Sequence, residues 1–201
     1  EACLSHPKRS GYYTVRHFIE GGTMPGSGVL NIIEWRAKIL AKRQPDGVTP
    51  LEIAATLEAN ATKALREIPL LRRGGVAPVG NAKEYAATLG DIEAMSHLGL
   101  YYAAKIRGAC ELALFDQTGN AAQQSAAVRG LESALSHWKN YSTAYSRQYA
   151  QPVLYNRAGF VDIPKLTEKA AADVQMARGW KPGTIDDAGI KRSGTEAGFK
   201  L

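Results

Sequence analysis

Apolar residues recur at steps of three and four along most of this chain, a period that gathers them on one face of a helix. From about Val29 to Arg43 the stripe is Leu30, Ile33, Ala37 and Leu40, with Ser27 placed to cap the first turn. Pro45-Asp46-Gly47 makes a turn. Thr49, Pro50 and Glu52 form a capping box with proline at the first helical position, and Ala54, Leu57, Ala61, Ala64 and Ile68 carry a second stripe as far as Pro69. The stretch from Leu70 to Gly80 reads as a linker in which the chain reverses. The longest pattern runs from about Ala82 to Gln117 through Ile92, Met95, Gly99, Tyr102, Ile106, Ala109 and Ala113. Thirty-odd residues at about 1.5 Å each make a rod of about 50 Å.

Thr118-Gly119-Asn120 is a turn suited to a left-handed glycine. The next helix, from about Ala121 to Tyr149, answers with Val128, Leu131, Leu135, Trp138, Ser142, Tyr145 and Tyr149 before Pro152 stops it. Residues 151–162 read as a loop. A last helix spans about Ile163 to Arg178, with Asp162 as its cap and Pro164 in its first turn. Two long striped helices joined by a short turn are an αα-hairpin. The fold expected is therefore all-α: an antiparallel helical bundle built on that hairpin. An irregular segment, 1–28, precedes the bundle domain, 29–178, and a flexible tail, 179–201, follows it. Within 1–28, Tyr12 to Ile19 fits a short strand or a helical turn, and the glycine-rich run Gly21 to Gly28 fits a loop.

Composition narrows the function classes. A hydrophobic fraction of 45% in 201 residues is enough for one real core, and no apolar run is long enough for a transmembrane helix. The net charge of +6 is dispersed. Its densest group, Arg66, Arg72 and Arg73, lies where a helix C-terminus favours positive charge, so neither nucleic-acid binding nor membrane insertion is expected. Cys110 falls on an apolar helix face, and the sequence leaves open whether it pairs with Cys3. No histidine or cysteine spacing makes a zinc site, and no cofactor or metal is expected. His97 and His137 read as helix-boundary residues with hydrogen-bond partners rather than as ligands or bases. Asp91 with Glu93, and Glu111 with Asp116, are neighbours on one helix and read as solvated charges, because a glycosidase pair must face across a bond. Tyr101, Tyr102, Trp138, Tyr141 and Tyr145 read as core.

One segment offers ligand chemistry. Tyr12, Tyr13, Arg16, His17, Trp35 and Arg36 flank the glycine loop, and aromatic rings beside Arg and His can stack on and hydrogen-bond a sugar. The plain alternative is a connecting loop or lid. Catalysis by His17 with Glu20 and Arg16 is a third reading, and no residue is assigned a catalytic role.

The segments Tyr101-Tyr-Ala-Ala-Lys-Ile-Arg-Gly-Ala-Cys-Glu-Leu-Ala-Leu-Phe-Asp-Gln-Thr-Gly119 and Leu131-Glu-Ser-Ala-Leu-Ser-His-Trp-Lys-Asn-Tyr141 carry a resemblance. They are similar to the helical region near the C-terminal end of large bacterial glycoside-hydrolase-like proteins of the α-glucuronidase-like kind, over residues 84–178. The resemblance implies an exported parent enzyme, extracellular or periplasmic, acting on polysaccharide. It also implies a catalytic barrel domain as partner and a helical module that packs on it and lines its cleft. No catalytic residue carries over, and this chain has no barrel pattern of its own. It begins without Met or a leader pattern, so it is expected to be a processed chain or part of a larger protein. The alternative is a stand-alone helical binding or homodimerisation module without catalytic activity.

Overall fold

The computed structural model describes residues 12–74, 81–155 and 159–187. Its elements in chain order are α1 (Val15–Glu20), α2 (Ile32–Leu40), α3 (Pro50–Arg73), α4 (Ala82–Thr118), α5 (Ala121–Ser146), β1 (Val153–Tyr155), β2 (Gly159–Val161) and α6 (Thr167–Arg178). The all-α bundle on a long hairpin is the observed architecture. α4 and α5 form the hairpin, and Gly119 takes the left-handed conformation at φ 66° that closes it. α3 lies against α4 on one side, α6 against α5, and α1 and α2 cross α4.

The starts of α3, α4 and α5 were legible; those of α1, α2 and α6 were not. α3 begins with the expected capping box of Thr49 and Glu52. α2 is shorter than its stripe: Asn31, not Ser27, caps it, with Glu34 reaching back to the cap. Tyr12 to Ile19 resolves as a helical turn whose capping box is Thr14 with His17. Pro69 does not end α3, which runs through it to Arg73. The expected loop 151–162 contains an antiparallel strand pair with Leu154 opposite Phe160. Asp162 caps a turn through Lys165 rather than α6 itself, which starts at Thr167. In the expected tail, Trp180 and Ile185 are core residues, while residues 188–201 and Cys3 lie outside the described residues.

Burial divides into two connected cores. One joins Val15, Ile19 and Trp35 to Leu112, Leu131, Val174, Trp180 and Ile185. The other is aromatic and holds Tyr12, Tyr101, Trp138 and Tyr141 with Ile163. The N-terminal half of the predicted α4 stripe departs from expectation, since Met95 is 64% exposed and Ile92 is exposed too. Cys110 is buried as expected, and burial pushes its thiol well above the ordinary value, which makes it a poor nucleophile.

α4 and α5 approach closest where both lack a Cβ. A methyl at Gly130 would stand 3.1 Å from the Gly108 Cα, and one at Gly108 would stand 2.9 Å from Leu131 Cγ. Alanine improves helix propensity by about 1 kcal/mol per glycine replaced. Two facing methyls would force the backbones apart, however. We expect Gly108→Ala/Gly130→Ala to be less stable than wild type by about 1–3 kcal/mol, as overpacked cores are. Urea denaturation reads this directly, and an unchanged midpoint would show that the crossing has slack.

Candidate functional site

The sequence-predicted residues do not converge on one site. Tyr12 joins a buried polar cluster on α4 and α6. Its hydroxyl donates to Asp173 Oδ2 at 3.0 Å and lies 2.8 Å from the Tyr101 hydroxyl. Lys105 is fully buried, and among the described residues its ammonium has three polar partners. They are the Tyr101 hydroxyl at 2.7 Å, Asp173 Oδ2 at 3.0 Å and the Tyr13 carbonyl. Since Tyr12 donates to Asp173 and Lys105 donates to Tyr101, the Tyr101 O–H donates to Tyr12. The four groups form a closed, mutually polarising chain. The Val15 backbone N–H donates to Asp173 Oδ1 at 2.8 Å, and the rings of Tyr12, Phe18 and Tyr101 sit 4.2, 4.7 and 5.2 Å from the ammonium. The arrangement fastens α1 to α4 and α6.

Trp35 and Arg36 belong elsewhere. Trp35 is in the first core. Arg36, also buried, donates to the Ala113 carbonyl at 3.2 Å and pairs with Asp187, with Asp116 3.7 Å away. Asp116 Oδ1 accepts from Trp180 Nε1 at 2.8 Å and from the backbone N–H of Thr184 at 2.9 Å. This second clamp holds 180–187 on the end of α4. Paired with hydrogen-bonded partners, such buried ions are tolerable; stripped of one partner they are not.

The remaining candidates are on the outer side of α1. Arg16 is exposed and paired with Glu20 at 2.7 Å, and Tyr13 and His17 are half-buried in edge-to-face contact at 5.7 Å. His17 Nδ1 accepts from the Thr14 backbone N–H at 3.1 Å. A sugar meeting this segment would therefore meet Tyr13, Arg16 and His17, not Tyr12, Trp35 or Arg36.

A third polar region was not singled out from sequence. Glu93, His97, Arg107 and Glu111 follow one another along α4 at helical spacing. Arg72 of α3 donates to Glu93 at 2.6 Å and Arg147 of α5 lies 3.3 Å from it. One end further on, Arg107 pairs with Glu58 of α3 at 2.7 Å. Between these ion pairs stand His97 and, from α5, His137, both half-buried. Contrary to the expectation of partnered histidines, the Nδ1 of each is buried with no hydrogen bond. Burial lowers the pKa of His97, Arg147 adds to this and Glu93 opposes it; burial and then His97 lower that of His137, with Glu58 opposing. Burial alone would raise the Glu93 carboxyl, but Arg72, Arg147 and His97 together bring it below the ordinary value. Asp91 accepts from Gln148 and Tyr149, both at 2.8 Å. Burial raises the pKa of Glu111, against the pull of Arg129.

Among the described residues, no three His, Cys, Asp or Glu side chains are grouped to hold a metal ion, and no helix is long and apolar enough to cross a membrane. The sequence matches no protein-family model, no curated protein and no solved structure.

Proposed function

We propose that this chain is a helical packing module, an accessory domain of a bacterial carbohydrate-active enzyme, that docks on a catalytic domain outside this chain. The observation that carries the reading is an apolar end on the bundle. Exposed Leu70 and Leu71 close α3, Ile92 and Met95 lie on the first half of α4, and Tyr149 follows α5. The Arg72–Glu93 pair and the Tyr149–Asp91 hydrogen bond place these three helix segments at one level. The strand pair that follows adds Leu154 and Phe160, directly opposite each other and 67% and 74% exposed. Exposed apolar groups on neighbouring segments are what a covering partner would bury. The resemblance of the hairpin sequence to helical modules of glycoside-hydrolase-like proteins supplies the class of partner. In this reading the parent is exported, and α1 faces its substrate cleft.

The test combines sedimentation of wild type and a Leu154→Ser/Phe160→Ser variant with calorimetric titration of both by acidic and neutral oligosaccharides. A packing module will self-associate weakly through its uncovered end, lose that association in the variant and take up no sugar. Sugar binding that survives the double substitution and is lost in Tyr13→Ala/Arg16→Ala would replace this reading with a carbohydrate-binding one. A tight wild-type dimer, abolished in the variant, would favour the stand-alone dimerisation module instead.

A further inference from the structure

We propose that His97 and His137 are an acid-sensitive latch that keeps α3 on the α4–α5 hairpin at neutral pH and loosens it in mild acid. The geometry supports this in three steps. First, a charged imidazole carries a proton on both ring nitrogens, and the Nδ1 of each histidine is buried with no acceptor. Charging either ring in place therefore creates a buried, unpaired cationic donor, which the neutral ring avoids.

Second, the two rings share a neighbourhood. The groups facing them are Glu58 and Arg72 from α3, Glu93 and Arg107 from α4, and Arg147 from α5. A cation on either ring repels the other ring and Arg147. Among the described residues, the attraction comes from Glu93 for His97 and from Glu58 for His137.

Third, those two carboxylates are already in use. Glu93 receives Arg72 and Glu58 receives Arg107, and among the described residues these ion pairs tie α3 to α4. The helices are otherwise in close contact: a Cβ added at Gly99 would come 3.4 Å from Ala61 Cβ, and Tyr85 reaches the Leu71 carbonyl at 3.4 Å. An imidazolium drawn to either carboxylate competes there with the arginine that ties α3 to α4.

The sign follows from the depressed pKa values. Above the ordinary imidazole pKa of about 6.5 both rings are neutral in folded and unfolded chains and the latch is closed. As pH falls below that value the unfolded or opened form takes up protons first, so the closed form loses stability toward the lower folded pKa.

Hydrogen exchange read by mass spectrometry, corrected for intrinsic rates, tests this on wild type and on His97→Gln/His137→Gln. Between pH 7.5 and 5.5 the wild-type α3 amides should lose protection by roughly tenfold relative to those of α5, as a local opening would give. The double variant should keep its α3 protection level. Unchanged wild-type protection, or an equal drop in the variant, overturns the proposal. Should the variant not fold, NMR titration of wild type decides. α3 amide shifts that move with the midpoints of the two imidazole resonances support the latch. Shifts that follow a carboxylate midpoint, or none, overturn it.

Discussion

Lys105→Met will destabilise the chain by about 3–5 kcal/mol, the range for removing one partner of a buried ion pair. The methionine fits the same tunnel between the rings, so lost volume is not the cause. The loss comes from Asp173, which is buried and keeps only the Tyr12 hydroxyl and the Val15 N–H for its carboxylate. The Tyr13 carbonyl and the Tyr101 hydroxyl lose their donor at the same time. Adding Asp173→Leu to Lys105→Met should recover much of the deficit, because an apolar pair needs no compensation. Urea denaturation of wild type, both single variants and the double variant closes the cycle. A single variant within about 1 kcal/mol of wild type would place Lys105 among ordinary surface-like pairs and sink the argument.

The second large effect is at the other clamp. Asp116→Ala removes the acceptor of Trp180 Nε1 and of the Thr184 and Ile185 N–H groups, and leaves buried Arg36 with Asp187 and the Ala113 carbonyl. Unsatisfied buried donors cost about 1–3 kcal/mol each, so several at once should release the segment from Trp180 to Asp187 before the bundle melts. Limited chymotryptic digestion should cut the variant after Trp180 under conditions that leave that bond intact in wild type. Iodide should quench Trp180 in the variant only. If both proteins resist equally, the segment is held by the packing of Trp180 and Ile185 alone.

How far the sequence could be read follows from which forces are local. The hairpin was legible because its stripes, its turn and Gly119 lie within a few residues of one another. The capping box of α3 was legible for the same reason, since Thr49 and Glu52 are three apart, while those of Thr14 with His17 and Asn31 with Glu34 were missed. The length of α3 was misjudged because Pro69 was read as a stop, whereas the helix accommodates it and continues through exposed Leu70 to Arg73. The exposure of Ile92 and Met95 could not be seen, since periodicity says which residues share a face but not whether another element covers it. The clamps were the least legible. Lys105 and Asp173, or Arg36 and Asp187, are ordinary charged helix or tail residues until the fold brings them together. The one local hint was Lys105 a turn beyond Tyr101, among small residues. The ligand candidates around the glycine loop were chosen for their chemistry, and three of them, Tyr12, Trp35 and Arg36, serve the interior. His97 and His137 were read as partnered, wrongly for Nδ1, because nothing within a helix tells a partnered imidazole from an orphaned one.

Both clamps join distant parts of the chain, residues 12–15 to 173 and residue 36 to 187, while the hairpin between them is made of neighbours. Contacts of long sequence separation form late, because the loop they close must first be ordered. Folding should therefore start at the hairpin and finish with its two flanks, and the clamps should be absent from the rate-limiting ensemble. The deficit of Lys105→Met would then fall on the unfolding limb of a chevron, with the refolding limb nearly unmoved. The two clamps would act as a kinetic lock, setting how long the chain stays closed rather than how fast it closes.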